Sequence, residues 1–144
     1  MSTPIHRSFS TLITLISLLM AAEAVTFLLA ALLHLGIPLG FSEPRILPAT
    51  IVEGLCGLFL AASAYAVLAR KTWAWRAALA AHLFSVAGVL LGITALALAP
   101  GLGTTVNTIY HRVILAALVA GLALLMTRGV KAALRPQRVP ALSH

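Results

Sequence analysis

The hydropathy pattern divides the chain into four long apolar runs, each carrying at most two Asp, Glu, Lys, Arg or His residues, joined by short stretches rich in Gly, Pro and cations. The clearest run is Pro48–Arg70, PATIVEGLCGLFLAASAYAVLAR, with one acid, Glu53, near its start. At ~1.5 Å per residue, about 20 apolar residues cross a ~30 Å hydrocarbon layer, so the run reads as a membrane span. Pro48 suits a first helical turn, where its missing N–H has no intrahelical partner. Arg70 and Lys71 stop the run where cations reach lipid headgroups. Glu53, Gly57, Leu60, Ala61 and Ala64 fall on one helical face, a narrow acid-bearing stripe that predicts packing against other helices rather than lipid.

The same reading gives spans over about 8–35, 48–69, 73–98 and 105–126. The first is overlong for a perpendicular crossing and is expected to tilt or project. Gly36–Leu47, GIPLGFSEPRIL, is a loop with Glu43 and Arg45 expected in solvent. Arg70–Arg76 is a tight cationic turn whose Trp73 and Trp75 suit the headgroup level. Gly88-x-x-x-Gly92 and Ala117-x-x-x-Gly121 are small-residue contacts that let helices approach. Pro100-Gly101-Leu102-Gly103 breaks the chain, and Thr104 or Thr105 caps the fourth span. Residues 127–144, with Arg128, Lys131, Arg135 and Arg138, are expected to form a frayed basic cytoplasmic tail on anionic lipid. A secretory signal is the competing reading of the start: His6 and Arg7, an apolar FSTLITLISLLM and Ala22-Glu23-Ala24 imitate one, and cleavage would leave Val25 first. Against it, VTFLLAALLHL continues the apolar run well past the cut. The expected architecture is an all-α integral membrane four-helix bundle, one domain over 1–144, with no convincing internal repeat.

Composition strengthens the membrane reading. Of 144 residues, 61% are hydrophobic and 9% charged, and the mean hydropathy is +1.06, values that call for lipid around the chain. The net charge of +7 would suit nucleic acid, but the cations sit at segment ends and form no basic face interleaved with aromatics, so nucleic acid is not an expected partner. Eight of the ten Lys and Arg residues fall at one side (Arg7, the 70–76 turn and the tail), opposite Arg45 and Arg112. That asymmetry predicts a multi-pass cell-membrane protein with both termini cytoplasmic. Cys56 is the sole cysteine, which excludes an internal disulfide and any Cys-based metal motif; it reads as a packing residue.

Ionisable groups at membrane depth are costly, so those inside the runs are the functional candidates. Glu23 lies ~18 Å from the outer end of the first span and His82 ~14 Å from the cytoplasmic end of the third, so the two can share a level. Glu23, Phe27, Ala30 and His34 share a face. A Glu23–His82 contact reads either as a hydrogen bond locking helices together or as a proton-relay pair. Glu53, His111 and Arg112 form a shallower cluster, with Asn107 and Tyr110 adding hydrogen-bonding capacity. Three readings stand there: a Glu53–Arg112 ion pair tying span two to span four, an outward-facing polar pocket for a small ligand, quinone headgroup or ion, or Arg112 snorkelling away to the interface.

Haem ligation by histidines on facing helices finds no depth-matched pair, and a zinc or copper site from His34, His111 and Glu53 has suitable ligands without a short-spaced signature. No triad order, phosphate loop or spaced carboxylate pair points to catalysis. Four short-looped spans with both ends on one side and a polar cluster between helices resemble the DoxX-like small membrane proteins in architecture, some of which accompany quinone-linked oxidoreductases. The stretches PATIVEGLCGLFLA and NTIYHRVILAALVAGLALL are similar to small bacterial membrane proteins. The expected function is non-enzymatic: handling of a small ligand or protons, or service as an accessory subunit, in a homo-oligomer or a larger membrane complex. A redox subunit binding quinone or haem and a purely structural subunit are the alternatives.

Overall fold

The computed structural model describes residues 4–99 and 103–134, with side chains from residue 11 onward. Four long helices, α1 (Pro4–Leu35), α2 (Leu47–Leu68), α3 (Ala74–Leu98) and α4 (Thr105–Met126), are followed by a short α5 (Arg128–Leu134). Each of the first four is long and apolar enough to cross a membrane, which makes the chain an all-α, multi-pass membrane bundle. Its outer surface agrees: Leu15, Leu18, Leu58, Leu91 and Val113 are more than half exposed, a surface that acyl chains satisfy and water does not.

Local chemistry sets where each helix begins and ends. Pro48 occupies the first turn of α2. At α4, the Thr104 hydroxyl accepts from the Asn107 N–H, an N-cap that satisfies one of the free donors. α1 ends in a Schellman motif, with Gly36 at φ +99, Gly36 N–H bonded to the Leu33 carbonyl and Ile37 N–H to the Leu32 carbonyl. α2 closes by the same two bonds, Arg70 to Val67 and Lys71 to Ala66, with Arg70 itself at φ +50. A cation thus stands where glycine is preferred, at the end of the helix that favours positive charge.

Neighbours in sequence pack as neighbours in space, and α1–α2 is the most extensive interface while α1–α4 is the slightest of the four around the bundle. Gly57 explains the first: a Cβ there would lie 3.1 Å from the Ala24 carbonyl oxygen and closer still to the Leu28 side chain, so only glycine lets α2 rest on the α1 backbone. The buried stripe of α2 runs through Glu53, Cys56, Gly57, Leu60, Ser63, Ala64 and Val67. Ala61, expected on that stripe, is exposed, because the stripe rotates past it towards Ser63.

Two features depart from the sequence reading at the end bearing Arg70 and Lys71, called here the basic end. Part of the expected frayed tail is helical: Val130 and Leu134 of α5 are buried, with α5 against α1, so apolar anchors order the segment despite its charges. Arg135, Arg138 and the rest of the tail, like the expected break at Pro100-Gly101-Leu102, lie outside the described residues. Trp75, besides suiting a headgroup level, donates its indole N–H to the Leu125 carbonyl at 3.0 Å, and Lys131 Nζ sits 5.1 Å from its ring centroid, clasping α3, α4 and α5.

Gly57→Ala is expected to lower unfolding stability in detergent micelles by about 1–3 kcal/mol through overpacking. Gly54→Ala, with nothing within 4 Å of the added carbon, should be neutral or stabilising. Equal effects from the two would contradict the close α1–α2 contact.

Candidate functional site

Three histidines on three different helices obey one rule. His34 Nδ1 is 3.1 Å from the Pro44 carbonyl, His82 Nδ1 2.8 Å from the Ala78 carbonyl and His111 Nδ1 2.9 Å from the Asn107 carbonyl. A carbonyl only accepts, so each Nδ1 carries the hydrogen and each neutral ring presents a bare, accepting Nε2 to the bundle interior. All three residues are buried.

For His82 the Nε2 approaches Glu23, 3.3 Å from Oε2, with both side chains almost wholly enclosed and neither the carboxyl oxygens nor Nε2 making a hydrogen bond. With Nδ1 committed, Nε2 is the nitrogen that faces the carboxyl, and a proton placed between them would give a neutral pair on Glu23 or an ion pair on His82. Gly121 of α4 makes the arrangement fit. A Cβ at 121 would strike His82 Nε2 and would lie 3.5 Å from Glu23 Oε1. The Ala117-x-x-x-Gly121 motif therefore serves as a notch for an imidazole from α3, in addition to easing helix approach.

Nearer the end bearing residues 36–46 and 103, the loop end, Glu53 is buried with both carboxyl oxygens unpartnered, and His34 Nε2 stands 3.8 Å from its Oε1. That separation is beyond a direct hydrogen bond. The loop pins His34 twice, through Pro44 O and through the Ile46 N–H to the His34 carbonyl. His111 turns its Nε2 towards Gly92, where a Cβ would collide with the ring. Gly88, one turn earlier, faces Val52 and Cys56 of α2, so the two glycines of the GxxxG serve different neighbours. Glu53, Gly88, Gly92 and His111 border a cavity of about 120 Å³ between α2, α3 and α4.

The expected Glu53–Arg112 pair does not form. Arg112 is exposed and borders a groove between α3 and α4 with Ile93, Leu96, Thr108 and His111, while Glu53 points to α1. One residue of helix separates His111 from Arg112, about 100° around the axis, and the imidazole takes the inward place. Arg112 therefore lies on the outside of the bundle, away from Glu53.

A second space follows the α1–α4 seam. Tyr110, Thr26 and Val106 border both a cavity of about 220 Å³, which also touches His34, Glu43 and Asn107, and a groove of about 410 Å³, which also touches Glu23. The Tyr110 hydroxyl is buried there without a partner, and its ring packs edge-on against Phe27 and His111. Asn107 is buried, its backbone shared between the Thr104 cap and His111. Glu43, expected in solvent, is half-buried and accepts from the Thr104 hydroxyl at 2.7 and 2.8 Å, so a loop carboxylate sits at the positive end of α4. Its role was missed because no local pattern links residues 61 apart.

The chain matches no family model, no curated protein and no solved structure. Its site rests on geometry alone. Glu23 and His82 meet, Glu53 and His34 approach, His111 joins Glu53 around one cavity, and Asn107 and Tyr110 border the other. Among the described residues no group of three or more His, Cys, Asp or Glu is arranged to hold a metal ion.

Gly121→Ala should drive a methyl onto the His82 ring and cost about 1–3 kcal/mol of stability. Arg112→Gln should stay within about 0.5 kcal/mol of wild type. Chemical unfolding in micelles measures both, and a larger loss from Arg112→Gln would restore the ion pair read from sequence.

Proposed function

We propose that the protein handles protons within the membrane, with Glu23 and His82 as a buried pair that takes up and releases one proton. The observation that carries this reading is the 3.3 Å Glu23–His82 approach, in which Nδ1 is already committed and a buried carboxyl and a buried Nε2 face each other without a hydrogen bond to any third group. Groups of this kind deep in hydrocarbon are expensive to keep, which favours a use for them.

Access supports the same reading. From the loop end, the α1–α4 seam offers space past His34, Glu43, Asn107 and Tyr110 to Glu23. Towards the basic end the pair is backed by Met20, Leu60, Val67, Leu118 and Leu125, all essentially inaccessible, with Ser17 tied to its own helix. A pair enclosed in this way, with a cavity and groove along the seam beside Glu23, suits a carrier or sensor that must rearrange to exchange its proton. The charge asymmetry of the sequence favours a cytoplasmic basic end, which would turn the seam cavity towards the exterior.

Glu23→Gln is the direct test, since the amide keeps the shape and can donate to His82 Nε2 while removing the titratable proton. Infrared difference spectra of the protein in lipid, recorded across a pH step on a Glu53→Gln background, should show a protonated-carboxyl band that Glu23→Gln removes and Glu43→Gln leaves in place. A band that persists in Glu23→Gln, or none where Glu23 is kept, contradicts the proposal. Orientation is checked separately: in intact cells a cysteine at Gly40, on a Cys56→Ala background, should react with a membrane-impermeant maleimide and one at Thr72 should not.

A further inference from the structure

The chamber beside Glu53 has an unusual donor–acceptor balance. His34 and His111 have each given their Nδ1 hydrogen to a backbone carbonyl, so both offer a bare Nε2, and Glu53 offers two carboxyl oxygens with no partner. Glu53 and His111 border one cavity, His34 stands behind Glu53, and no donor bonds to the Glu53 oxygens. The titratable and charged neighbours do not close the gap. The Tyr110 hydroxyl is buried without a partner and makes no hydrogen bond to Glu53 or to either imidazole. Cys56 lies one turn further into α2, Glu43 is taken up by Thr104, and Arg45 and Arg112 are exposed and make no ion pair with Glu53 among the described residues.

A single proton on Glu53 satisfies at most one of these acceptors, and His34 is 3.8 Å away, too far for a direct bond. The adjoining cavity of about 120 Å³ has room for a guest of a few heavy atoms. Its remaining wall is apolar, from Ile46, Val52, Leu91 and Ala95, so a guest held there must bring both the charge and the hydrogens that the chamber lacks. We infer that the cavity bordered by Glu53 and His111 binds a compact N–H-bearing monocation, ammonium or a primary ammonium as small as methylammonium. Its hydrogens would point to the Glu53 oxygens and to His111 Nε2, and its charge would balance the buried carboxylate. Gly88 and Gly92 keep the α3 wall low enough for the chamber to exist, since side chains there would meet Cys56 and His111. The inference uses neither Glu23 nor His82 and stands apart from the proton reading.

Thermal unfolding of the full chain in micelles, at fixed pH and ionic strength, tests it with ammonium, methylammonium, potassium and tetramethylammonium chlorides. The first two should raise Tm saturably by preferential binding to the folded state. Potassium, of similar size without N–H donors, and tetramethylammonium, equally charged without them, should not. Glu53→Gln should weaken the effect at least about tenfold, as expected for losing a charged hydrogen-bond acceptor. Ala95→Phe keeps Glu53 and fills the cavity mouth from an exposed position, so it should abolish the effect in a protein that still folds. Glu23→Gln should leave it intact. No shift with ammonium, an equal shift with potassium, or a shift that survives Ala95→Phe would each overturn the inference.

Discussion

Everything inside this bundle answers to the cost of leaving a carboxyl or imidazole unpaired in hydrocarbon. The bundle meets that cost with a repeated device: a backbone carbonyl takes Nδ1 of the histidine, and Nε2 is aimed at an acid or into a glycine notch. Glycine enters the device twice, as Gly92 under His111 and Gly121 over His82. The small residues that bring membrane helices together thus also make room for their polar contents. A side chain at either position would separate helices and strip a histidine of its place at once.

The two acids are treated differently. Glu23 is met closely by His82 among wholly buried apolar side chains. Glu53 is approached loosely by His34 and borders a cavity. The weak α1–α4 contact leaves a groove beside the first, while the tight α1–α2 contact at Gly57 holds the backbone of the second. Seam and anchor lie on opposite faces of α1, so that helix carries both Glu23 and His34 on a fixed interior stripe.

Much of this was legible in the sequence. Runs of about 20 apolar residues between Gly, Pro and cation breaks announce the four long helices, because length and hydropathy are local properties. The shared level of Glu23 and His82 also follows from counting residues, since rise per residue is fixed. The partner of Glu53 did not follow. Depth pointed to Arg112, and only the rotation of α4, set by packing of Ile114, Leu118 and Leu125, decides which of His111 and Arg112 turns inward. Charge count also misjudged residues 128–134, where two buried apolar side chains outweigh Arg128 and Lys131. The Glu43–Thr104 bond was invisible because it joins two loops through space.

The claim on which the rest stands is that Glu23 and His82 stabilise the bundle through each other, and a double-mutant cycle measures that. Unfolding free energies of wild type, Glu23→Ala, His82→Ala and the double variant in one micelle system give the coupling directly. Each single change strands a buried partner at a cost of about 3–5 kcal/mol. Removing both should cost less than the sum by at least about 1.5 kcal/mol. Additive losses, with coupling near zero, would mean that the two side chains do not share a proton or a contact, and the account would fail.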